Sequence, residues 1–102
     1  MKLFITVCLK EYHNDVYAIF KQAKIDVFSA AEVTGFKNNQ IPQLLESWFA
    51  SGEEKFDSAM LFSFTSSESA ERGIELVKKY NTEMKTNFPL RAFIIPVEKT
   101  SI

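Results

Sequence analysis

The hydrophobic positions change period several times along the chain, and each change marks an element. Residues 3–9, Leu-Phe-Ile-Thr-Val-Cys-Leu, are β-branched, aromatic and aliphatic in one short run, which reads as a strand. The period then lengthens. Val16, Ile19, Phe20 and Ala23 recur at i, i+3, i+4 and i+7, the stripe of an amphipathic helix, with Asn14 or Asp15 placed to cap its first turn. Residues 27–36 (VFSAAEVTGF) and 57–65 (DSAMLFSFT) return to strand character. A second helix is expected after Thr65. Thr65 and Glu68 stand at capping-box spacing, Ala70, Ile74, Val77 and Asn81 share one side, and glutamates precede lysines as the helix dipole favours. Residues 89–99 (PLRAFIIPVEK) form a last strand, in which Pro96 requires an edge position or a bulge.

The order βαββαβ, in two halves of like shape, predicts an α+β, ferredoxin-like sandwich: a four-stranded antiparallel sheet with two helices on one face. The 102 residues sustain one such domain, spanning 1–102, and not a second core. The strands carry a further expectation, because they do not alternate apolar with polar. Leu3, Ile5, Val7 and Leu9 oppose Phe4, Thr6 and Cys8; Met60, Phe62 and Phe64 oppose Ala59, Leu61 and Ser63; Leu90, Ala92 and Ile94 oppose Phe93, Ile95 and Val97. Two helices cover one face, so the second apolar face needs another cover. A homo-oligomer with its sheets packed together supplies it. The alternatives are a monomer with an apolar open face, or a connecting segment folded onto it.

That connecting segment, residues 37–56, is itself unusual. Within "GFKNNQIPQLLESWF", Ile41, Leu44, Leu45, Trp48 and Phe49 fall at i, i+3, i+4, i+7 and i+8. Pro42 suits a first helical turn and Gly52 an exit, so a short extra helix is predicted over about residues 41–51. Its stripe either packs on this or a neighbouring subunit, or serves as a lid or an anchor for a partner, with Trp48 and Phe49 as the anchors.

Charge and chemistry narrow the picture mostly by exclusion. A formal net charge of -1, with no Lys/Arg cluster, argues against nucleic acid as a partner. One cysteine, Cys8, allows no intrachain disulfide and suits a reducing, cytoplasmic setting. The opening run is short and lacks a small-residue cleavage site, so it reads as a strand and not a secretory leader. His13, the single histidine, lies at a helix entry and reads as a cap or surface residue. Cys8 reads as a small buried hydrophobe, and the adjacent Glu53 and Glu54 as a solvated pair. No catalytic constellation and no metal-ligand spacing emerges, so an enzyme is not expected.

Two stretches, "AAEVTGFKNNQ" after the second strand and "LRAFIIPVEK" at the end, resemble the PII-like signal transduction superfamily. The matching residues are Glu32, Val33, Gly35, Phe36 and residues 93–98, and the resemblance covers most of the chain in order and length. It implies a trimer with sheets facing inward. It also implies a small ligand, commonly an adenine nucleotide, held in clefts between subunits. A mobile T-loop then acts on a transporter or regulatory protein. Carried over residue by residue, Gly35 matches the glycine at the T-loop base, Phe36 follows it, and Lys37 replaces the usual next glycine. Arg91 stands where the family has the lysine closing a glycine-rich phosphate loop, but "NTEMKTNFPL" has no glycine. Residues 37–56 contain no tyrosine of the kind the family modifies. Gly35, Phe36, Lys37 and Arg91 are thus the candidate ligand residues. The standard ATP site looks incomplete, and the ligand is left open. Two other readings remain: a CutA-like or efflux-associated metal-tolerance accessory protein, and an interaction module without ligand.

Overall fold

Strand β1, Lys2–Leu9, runs through the middle of the sheet and sets its register. It pairs antiparallel with β3 (Lys55–Thr65) on one side and β4 (Arg91–Pro96) on the other, while β2 (Ser29–Phe36) pairs antiparallel with β3. The strand order is therefore β2-β3-β1-β4, with β2 and β4 as the two edges. Pro96 is the last residue of edge strand β4, opposite Lys2, a position at which proline is tolerated. The computed structural model describes residues 1–36 and 55–102. The predicted helix over 41–51, with Ile41, Leu44, Leu45, Trp48 and Phe49, lies outside the described residues, as do Lys37, Glu53 and Glu54.

Helices α1 (His13–Gln22) and α2 (Ser67–Met84) supply the cover for one face. Their entries differ from the sequence expectation. A 3-10 turn over Lys10–Tyr12 winds straight into α1, so the residue at the N-cap is Tyr12 and no side chain caps the helix. Neither Asn14 nor Asp15 caps it, because both already lie within the first turn. Asp15 instead accepts a 2.6 Å hydrogen bond from the Tyr80 hydroxyl, tying α1 to α2. At α2 the cap is Ser66, whose hydroxyl accepts from the Ser69 amide at 3.1 Å. Thr65 is not free to cap, since it pairs with Lys2 in the ladder. The lysines of α2, Lys78 and Lys79, fall short of its last turn, which has no basic residue. Lys85 ends the helix in the left-handed region at φ 48°, an unusual conformation for a residue with a Cβ.

The core lies between the helices and the face of the sheet that carries Phe4, Cys8, Ala59 and Leu61. Phe4, Val16, Phe20 and Leu61 are fully buried there, and the Phe4 and Phe20 rings meet at 5.3 Å between centroids. The helices approach closely because α2 presents Ala70 and Gly73 to the sheet, with the Phe4 ring seated on Gly73. Thr6, buried among these apolar groups, donates to the Leu61 carbonyl at 3.3 Å. Arg72 reaches back from α2 and donates through Nε and Nη2 to the Ala23 carbonyl, satisfying the end of α1.

The opposite face is apolar too, as the strand pattern predicts. Register aligns Phe64, Leu3 and Ile95 in one row, Phe62, Ile5 and Phe93 in the next, and Met60, Val7 and Arg91 in a third. Phe64 is 58% exposed and Ile95 40% exposed, while Leu3, Ile5, Phe62 and Phe93 are half-buried.

Candidate functional site

The sequence candidates gather at one end of the sheet, where β1 and β2 finish and β4 starts. Gly35 and Phe36 are the last residues of β2. Gly35, opposite Phe56 in the ladder, is buried, whereas Phe36 is 63% exposed. Arg91 opens β4 and pairs with Val7. The two positions occupy opposite edges, three strand spacings or about 14 Å across the sheet, and they are also offset along it, since Arg91 is level with Met60 and Gly35 with Phe56. Within one chain they do not form a single cluster. A ligand gripped by both must reach across the sheet end.

The segment before Arg91 is held shut. The Asn81 side chain donates to the Leu90 carbonyl at 2.9 Å and accepts the Leu90 amide at 2.8 Å. The Phe88 amide donates to the Thr86 hydroxyl at 3.0 Å, and the Lys85 amide to the Asn81 carbonyl at 3.3 Å. Residue 89 is proline and has no amide to offer. A loop that cradles phosphate does so with unengaged backbone amides. Here the amides of residues 85, 88 and 90 are already committed. Thr86 also meets the Tyr12 hydroxyl at 3.0 Å, which fastens the loop to the turn before α1.

Near the other edge, Lys10 bridges to Glu32 at 2.9 Å, joining the end of β1 to the middle of β2. The hydrogen bond from Lys10, and then its charge, hold the Glu32 carboxyl below the usual range; the same bond raises the Lys10 ammonium. His13 donates from Nδ1 to the Lys10 carbonyl at 2.7 Å, because a carbonyl only accepts, and this orients the ring. Cys8 is buried, and burial, aided by the Asp15 charge, pushes its thiol up to about 11. A thiol so protonated is a poor nucleophile at neutral pH. Burial, followed by the bond to Asp15, also raises the Tyr80 phenol. Among the described residues no group of three His, Cys, Asp or Glu is close enough to hold a metal ion. Sequence reasoning read Glu32 only through its family match and missed its pairing with Lys10; the two are 22 positions apart and meet only through the β1–β3–β2 ladder.

The sheet order, with two helices on one face, defines an α+β protein of the ferredoxin-like plan. More particularly, the chain shares its fold with a proposed PII-like signaling protein from Thermus thermophilus. The match covers 91% of this chain and 82% of that one, with a TM-score of 0.63 and 13% identity. No family model matches the chain, and no curated protein matches it in sequence. No helix among the described residues is long and apolar enough to cross a membrane.

Proposed function

We propose that this chain is a non-enzymatic regulatory protein of the PII-like kind, working as a homotrimer with its sheets turned inward. The observation that carries the reading is the apolar sheet face opposite the helices, with Phe64 and Ile95 exposed on either side of Leu3. A face of that character is stabilised by burial against copies of itself, at roughly 25 cal/mol per Å² of apolar surface covered. Assembly would also bring the β2 edge of one subunit near the β4 edge of the next, so that Gly35, Phe36 and Lys37 meet Arg91 across a cleft. A small ligand or anion held there would change the 37–56 segment. That segment would act on the partner, a transporter or another regulatory protein, with Trp48 and Phe49 as contacts.

Light scattering on the purified chain tests the assembly. The expected mass is about 35 kDa, against 11.7 kDa for one chain; a monomer at micromolar concentration would overturn the reading. Calorimetry with adenine nucleotides, cyclic nucleotides, bicarbonate and divalent metals tests the ligand.

A second reading draws on the committed amides of Phe88 and Leu90. With those donors engaged, a phosphate has little to bind in the 85–90 loop, and the trimer would act as an interaction module without a nucleotide. A trimer that gives no heat with any member of the panel supports this second reading.

A further inference from the structure

On the helix side of the sheet, away from the exposed apolar face, a hollow opens between α1 and β2. Its volume is about 260 Å³, just under the ~300 Å³ at which drug-sized ligand pockets begin, so it suits a small molecule. Tyr17 and His13 form one wall, with rings edge-on at 5.3 Å, and Tyr17 is 39% exposed. Both rings are held: Tyr17 also meets Phe28 at 5.5 Å, and the Lys10 carbonyl fixes His13. Opposite and beneath, Ala30 and Ala59 offer only methyl groups, which is why space remains. The Lys10–Glu32 ion pair stands at the rim.

We propose that this hollow binds a small zwitterion, an α-amino acid with an apolar side chain. The carboxylate of the ligand meets Lys10, the ammonium meets Glu32, and the side chain lies against Tyr17. The ion pair uses one carboxylate oxygen of Glu32 and one of three ammonium protons of Lys10, leaving both groups with bonding capacity. The ammonium and carboxylate of an α-amino acid are both carried by one carbon, so its two charges lie as close together as the partners of the bridge. The ligand therefore docks head to tail against it, giving four charges of alternating sign without breaking the pair. Other ligand classes fit less well. A simple anion meets Glu32, and Asp57 adds a second negative charge near Lys10; a simple cation meets Lys10. A neutral apolar molecule leaves both charges unused. The site requires neither assembly nor any residue of 37–54, so it stands apart from the function proposed above.

Calorimetry of the full chain with L-phenylalanine tests the proposal, with 3-phenylpropionate and phenylalaninamide as probes lacking one charge each. L-Phenylalanine is expected to bind in roughly the millimolar range or tighter, and each truncated probe about tenfold more weakly. Glu32→Gln and Lys10→Met should each weaken L-phenylalanine about tenfold. Both side chains are more than half exposed, at 74% and 54%, so the fold survives either change. Ala30→Leu fills the hollow while leaving the charges in place and should abolish binding. Silence from L-phenylalanine, L-leucine and L-methionine at about 10 mM overturns the proposal. So does binding that all three variants leave intact, or 3-phenylpropionate binding as tightly as the amino acid.

Discussion

Asn81 closes both backbone groups of Leu90 with one side chain, donating to its carbonyl at 2.9 Å and accepting its amide at 2.8 Å. Leu90 is only 2% exposed, so neither group has water as a substitute partner. Asn81→Ala should therefore cost about 2–3 kcal/mol, read as a lower urea midpoint with an unchanged slope. Asn81→Asp is the finer probe. Its ionised carboxylate still accepts the amide but faces the Leu90 carbonyl with an oxygen that cannot donate. The aspartate variant should recover stability relative to wild type as pH falls and its carboxyl protonates. An alanine variant as stable as wild type would show that the clamp contributes nothing.

Gly73 is where α2 meets the Phe4 ring. A Cβ there would lie 2.5 Å from Phe4 Cζ. Two effects of Gly73→Ala oppose each other. Helix propensity favours alanine by about 1 kcal/mol. The overlap opposes it, because the Phe4 ring is fully buried and packed on Phe20, so it must be displaced within the core to make room. Overpacking of this kind typically costs about 1–3 kcal/mol, so the net effect should be a loss of stability. Phe4→Leu should relieve part of it: the double variant is expected to be less destabilised than the two single losses added together. Strict additivity in thermal unfolding would rule the contact out as the cause.

Cys8 supplies a pH dependence whose sign is fixed by burial. Its thiol is raised to about 11 in the fold, above the ~8.5 of an unfolded chain. Folding therefore keeps a proton that the unfolded chain loses. The contribution is complete below the unfolded value and disappears as pH rises from about 8.5 toward 11, at no more than about 1.4 kcal/mol per pH unit. Cys8→Ala should flatten this part of the stability curve. At neutral pH the native thiol should resist iodoacetamide and react only after denaturation; fast labelling of the native chain would contradict the burial.

Much of this architecture is legible in the sequence because the pleat fixes a period of two. Once residues 3–9 are read as a strand, Phe4 and Cys8 must share a face that excludes Ile5 and Val7, and the structure divides them that way. Helix entries are less legible, because they depend on what neighbouring residues are already doing. Thr65 has the right spacing from Glu68, but it is a ladder partner of Lys2, so Ser66 takes the cap. Asn14 and Asp15 are good cap residues that the 3-10 turn at Lys10–Tyr12 carries into the helix. The candidate site is least legible. Gly35 matches a family pattern and Arg91 stands where that pattern has a lysine, yet their placement on opposite edges follows from strand order, which no local pattern encodes. The Asn81 clamp likewise needs the left-handed turn at Lys85 to bring Leu90 back to the helix.

The row Phe64–Leu3–Ile95 separates stability from assembly. Phe64 and Ile95 flank Leu3 on the face away from the helices, and both are substantially exposed within one chain. Phe64→Glu and Ile95→Glu together therefore remove little intrachain packing, and the isolated fold should persist, with far-UV circular dichroism unchanged. If that face meets other copies, the same two charges would be buried without partners, at a cost of several kcal/mol each. The variant should then sediment as a monomer while wild type does not. A matched change on the helix side, Leu61→Glu, should instead unfold the chain, because Leu61 is fully buried among Phe4, Ala59 and α1. A double-glutamate variant that keeps the wild-type mass would mean that Phe64 and Ile95 lie outside any interface, and the inward-facing arrangement of sheets would have to be abandoned.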